Sequence, residues 1–96
     1  MTVNPIVQYE LQCAVEDLTT FAYALAADEL EHKHLRDFYR TNRDTLRRVF
    51  CDDKLIKFQY DTFTALKNKQ IELFQLMVEI LKLRVLRFRG EIVIYN

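Results

Sequence analysis

From Val7, the apolar residues Leu11, Ala14, Leu18, Phe21 and Leu25 recur at alternating steps of four and three. That spacing keeps side chains on one face of an α-helix. A second row, Cys13, Val15, Ala22 and Ala26, widens the apolar stripe to the breadth a core-facing helix needs. Asn4-Pro5 stands just ahead of it. Asparagine caps a helix N-terminus, and proline suits the first helical position, where no amide hydrogen is required. A helix is predicted over residues 5–27.

The same steps continue through Asp28, His32, Leu35, Tyr39, Asn42, Leu46 and Val49 without a change of phase, but with polar residues on the apolar seam. Two readings follow. One helix could run from Pro5 to Phe50, or the chain could break near Ala27–Asp28, with Asp28 capping a second helix and Glu31 completing a capping box. The break is preferred, with Thr41-Asn42 as a second candidate position. Asp28, Glu29 and Glu31 at the start and Arg47 and Arg48 at the end of 28–50 complement a helix dipole.

Cys51-Asp52-Asp53 marks the next interruption, after which a long helix is predicted over 54–88. Between Ile71 and Leu83 its polar residues are Glu72, Gln75, Glu79 and Lys82, a single narrow stripe. The apolar arc left over is wider than the roughly 100° a monomer's surface helix buries. Beyond it, Gly90 and the β-branched run Ile92-Val93-Ile94 suggest a short extended C-terminal tail. The predicted fold is all-α: a single helical domain over 1–96, an antiparallel bundle of about three helices (5–27, 28–50, 54–88). Dimerisation through the last helix would complete it, because exposed apolar patches mark association sites and two-fold dimers are the commonest oligomers.

Composition narrows this picture. One glycine and one proline in 96 residues leave no turn signals for a sheet. Fourteen basic and fourteen acidic side chains cancel, so no global field draws the chain to nucleic acid or anionic lipid. Cys13 and Cys51 show no paired spacing, and a reducing, cytoplasmic setting is the simpler expectation. The first residues lack the cationic start and apolar run of a signal peptide. No apolar run approaches the roughly 18 residues of a transmembrane helix.

Candidate chemistry is sparse. Glu29 and His32 have the E-x-x-H spacing with which ferritin-like carboxylate bundles hold metal, but such sites need two pairs and two further glutamates. A symmetric dimer could supply the second pair; the plainer reading is a solvated helix start. Arg36, Arg40, Arg43 and Arg47 fall at i, i+4, i+7 and i+11 on one helical face. Phe38 and Tyr39 interleave with them, a mixture seen where single-stranded nucleic acid stacks, although salt bridges are the plainer role at zero net charge. The chain has no serine, and Cys51 sits beside two aspartates that disfavour a thiolate. An enzyme is not expected, nor a cofactor. The predicted function is a non-enzymatic protein–protein interaction module, a small regulator, adaptor or chaperone-like binder that acts as a homodimer on another protein. Its predicted surface is Phe74, Met77 and Leu81 with the arginine flank Arg36, Arg40, Arg43 and Arg47. The alternatives are a metal-binding bundle using Glu29 and His32, and a nucleic-acid binder using the arginine row.

Overall fold

A computed structural model describes residues 4–90, and these form four helices and no strand. They are α1 (Pro5–Ala26), α2 (His32–Leu46), α3 (Asp52–Lys67) and α4 (Ile71–Phe88). Short connections make sequential helices antiparallel neighbours. Each helix packs on the next, and α4 closes back on α1, with the α1–α4 and α3–α4 seams the most extensive.

The start of α1 is as the sequence predicts. Asn4 Oδ1 accepts the Ile6 amide hydrogen at 2.8 Å, with Pro5 in the first turn. Its end comes at the expected place by a different device. Asp28 does not cap α2; it lies beyond the end of α1 in the left-handed region, at φ 57°. Its amide donates to the Leu25 carbonyl, and that of Glu29 to the Ala24 carbonyl. These two bonds are a Schellman motif, which satisfies carbonyls that the helix end would otherwise strand. Glu31 then serves as N-cap of α2, and its amide donates to His34 Nδ1 at 2.9 Å. His34 thus stands where a capping box usually places Glu or Gln. Thr41 and Asn42 are helical, Asn42 Nδ2 donating to the Phe38 carbonyl at 2.9 Å.

The predicted helix over 54–88 is two helices. It breaks at Asn68-Lys69-Gln70, where Lys69 adopts φ 56°. The Lys69 amide donates to the Leu66 carbonyl and the Gln70 amide to that of Ala65, a second Schellman motif with the same bond pattern as the first. Lys69 Nζ donates to Asp28 Oδ1, so the two left-handed residues are joined by an ion pair across one end of the bundle. At the opposite end the chain turns through 47–51, with Phe50 buried as its anchor.

This extra turn changes what covers the last helix. Phe74, Met77 and Leu81, expected on an interaction surface, are core residues, packed with Leu11, Leu18, Leu35, Leu46 and Phe58. The turn lets α3 fold back along α4, so the arc assigned to a second copy is largely covered within one chain. Thr62 is the polar member of this core. Its Oγ1 donates to the Gln59 carbonyl at 2.8 Å, so the 2.6 Å contact with Tyr39 Oη has the tyrosine as donor. The extended tail predicted after Gly90 lies outside the described residues.

Candidate functional site

Where α3 folds back along α4, an open groove remains between them. On the α4 side its wall is Leu73, Leu76 and Ile80, at i, i+3 and i+7, with Met77 beneath. Leu76 is 53% exposed, and Leu73 and Ile80 are half-buried. On the α3 side Phe58 forms the floor, and Lys54, Lys57 and Asp61 form the rim. Leu83, 46% exposed, extends the apolar face of α4 outward.

Arg84 closes one end of the groove. Its guanidinium carbon lies 5.3 Å from the centroid of the Phe50 ring, and that ring rests on Phe58 at 4.8 Å. An arginine over an aromatic face gains electrostatic attraction without using its N–H donors. Arg84 is half-buried, and among the described residues it has neither a carboxylate partner nor a hydrogen bond. Other cations are committed: Lys57 pairs with Asp61 at 3.0 Å, Arg40 with Asp37 at 2.8 Å and Lys82 with Glu79 at 3.1 Å. Arg84 also borders the end of the bundle, where Arg47, Arg48, Lys54 and Arg87 surround Val49, Cys51 and Phe88. The Asp52 carboxylate tempers that end by pairing with Arg47 at 3.3 Å.

The residues expected to act from sequence fall into three groups. Arg36, Arg40, Arg43 and Arg47 are exposed on α2 and its C-terminal cap, as the spacing predicts. Arg36 and Arg43 have no ion-pair partner among the described residues. Arg40, Arg43 and Arg47 line a shallow groove towards Ile56 and Gln59 of α3. The interleaved Phe38 and Tyr39 are buried, however, so they offer no stacking platform for bases. Phe74, Met77 and Leu81 lie beneath the surface. The expected metal pair does not share a helix, because Glu29 lies in the connection before α2 and His32 opens the helix. The helical i, i+3 geometry that would align them is therefore absent. The His32 ring instead packs on Phe63 at 4.8 Å, and among the described residues no three His, Cys, Asp or Glu side chains group as metal ligands.

Leu73, Leu76 and Ile80 belong to the apolar arc of the last helix that the sequence singles out, whereas Lys54 and Arg84 are groove residues that sequence reasoning did not place there. One signal was available, in the order of charges along the chain. Glu10, Glu16, Asp17, Asp28, Glu29 and Glu31 all precede the first basic residue, Lys33. Cations therefore gather on α2 to α4, and the linear order of charges is enough to reveal that excess.

Away from the groove, the Tyr39 hydroxyl is held well above the usual phenol range. Burial is the main cause, and the nearby Asp61 carboxylate adds to the rise. The Asp28 carboxyl is held below the usual carboxylate range by its hydrogen bond with Lys69 and by that ammonium's charge. These groups shape stability and lie in separate parts of the fold. The groove itself offers apolar contact and positive charge. No protein-family model, curated protein or solved structure matches the chain.

Proposed function

We propose that this protein is a non-enzymatic protein–protein interaction module whose α3–α4 groove receives an amphipathic helix from another protein. The observation that carries this reading is the i, i+3, i+7 row of Leu73, Leu76 and Ile80, left half-open beside a helix–helix seam. A helix presenting apolar residues at i, i+3, i+4 and i+7 matches such a row turn for turn. A straight groove between two packed helices also suits a rod-shaped occupant better than a compact ligand.

The apolar arc of α4 is the argument from sequence for a homodimer. With Phe74, Met77 and Leu81 buried by the chain's own helices, Leu76 and Leu83 carry what remains of it. A second copy is a poorer occupant than a foreign helix. The chain's most acidic helix, α1, already spends its apolar face, Leu11, Ala14 and Leu18, on its own core. Cys13 and Cys51 are free thiols, which suits a partner met in a reducing compartment such as the cytoplasm. Among the described residues no helix is long and apolar enough to cross a membrane.

The test uses a synthetic amphipathic peptide of about 18 residues, roughly five helical turns, titrated against the full chain by fluorescence anisotropy. Saturable binding is expected, with loss of at least about tenfold in affinity for Leu76→Asp. Leu76 is exposed, so that variant keeps the fold, and circular dichroism checks it. Binding unaffected by Leu76→Asp, or no saturable binding of any such peptide, would remove the proposal.

A further inference from the structure

We infer that the helix received by the α3–α4 groove is acidic, and that Arg84 selects it by binding one of its carboxylates. This rests on the docking reading above. Arg84 is half-buried, so its charge has lost part of its water, yet its own chain supplies no carboxylate among the described residues. Lys57, on the same rim, shows the contrast: it has Asp61 at 3.0 Å. The Arg84 guanidinium rests over the Phe50 ring, its carbon 5.3 Å from the centroid, a contact that leaves its N–H donors unspent. A planar guanidinium held in this way is pre-organised for a two-pronged bond to a carboxylate, which lowers the entropy lost on pairing. Lys54 stands nearby as a second, exposed cation of the same sign.

Position adds a register. Arg84 lies one helical turn beyond Ile80 on α4, about 6 Å along the axis. The partner's carboxylate therefore belongs about one turn past the apolar residue that seats on Ile80. Apolar anchors at one end and an acid at the other would fix which way the incoming helix runs, as charge complementarity does at protein interfaces generally. Nucleic acid fits the groove less well, because its apolar wall offers phosphate nothing and Phe50 is buried beneath Arg84.

The test compares two labelled peptides with the same leucine row. One carries glutamate a turn past the last leucine and on its flanks; its twin carries lysine at those positions. The acidic peptide is expected to bind roughly tenfold or more tightly at low salt, with the gap narrowing as salt rises. Arg84→Met, which keeps apolar packing over Phe50, should erase the preference, and Arg84→Glu should reverse it. Equal binding of the twins, or an unchanged preference in Arg84→Glu, would overturn the inference and leave the groove reading standing. Failure of both twins to bind would remove both. Displacement of the acidic peptide by a single-stranded oligonucleotide at lower concentration than by unlabelled peptide would reassign Arg84 to a polyanion, and would also overturn the inference.

Discussion

Tyr39 sits where α2 meets α3, ringed by Phe38, Phe58 and Phe63, with its hydroxyl turned to Thr62. Ionising it would place a negative charge in that apolar nest, close to the Asp61 carboxylate, so the fold holds it protonated. The unfolded chain has no such constraint, and its tyrosine titrates near the usual value of about 10. Because the folded pKa is the higher of the two, the contribution to stability is whole below pH of about 10. It is lost as pH climbs beyond that value and the unfolded chain alone gives up its proton. Urea unfolding followed between pH 8 and 11 should therefore show stability level at first and then falling. Tyr39→Phe should cost about 1 kcal/mol at neutral pH. The loss is modest because Thr62 keeps its bond to the Gln59 carbonyl. The variant should also flatten the alkaline fall; an unchanged slope would show that Tyr39 is not its source.

At the scale of the elements, two of the helical hairpins turn on a residue other than glycine held at positive φ, Asp28 and Lys69. A side chain in the left-handed region costs roughly 1–2 kcal/mol relative to its preferred conformation, a cost glycine avoids. Lys69→Ala and Lys69→Gly both remove the ion pair with Asp28, so the difference between them isolates the backbone. The glycine variant should be the more stable by about 1 kcal/mol in thermal or urea unfolding, and equal stabilities would argue against the left-handed turn. The same turn limits what the sequence discloses. The apolar steps run from Phe63 and Leu66 through Gln70 to Leu73 and Met77 with no change of phase, and Asn68-Lys69-Gln70 holds neither glycine nor proline. The first break is equally continuous in phase, but its cluster of acids marks it, although Asp28 closes α1 where the pattern predicts that it opens α2. All-α architecture, the start of α1 and the exposed arginine row lie within single stretches of chain, so periodicity reveals them. The α3–α4 groove is built from two stretches made neighbours by the unsignalled turn, and no pattern within either one discloses it.

For the molecule as a whole, the turn at 68–70 decides whether a second copy is required. A rod formed by one uninterrupted helix over 54–88 would leave Phe74, Met77 and Leu81 needing cover from outside. With α3 folded back they are dry, and Leu76 and Leu83 are the large apolar residues of α4 that stay exposed. Stable protein–protein interfaces bury upwards of about 1,000 Å² in total with good complementarity, and two leucines on one helix supply only a fraction of that. Charge adds a second obstacle. The rim of the α4 face carries Lys54 and Arg84, so a two-fold pairing that brought α3 against its own copy would set like charges opposite one another. Sedimentation equilibrium at micromolar concentration should accordingly return the mass of one chain, 11.6 kDa. High salt should not change it, because screening removes the repulsion without adding contact area. A mass near twice that value, lowered to the single-chain mass by Leu76→Asp, would mean that the outer face of α4 is filled by a second copy. The groove would then be part of a dimer interface and not a seat for another protein's helix.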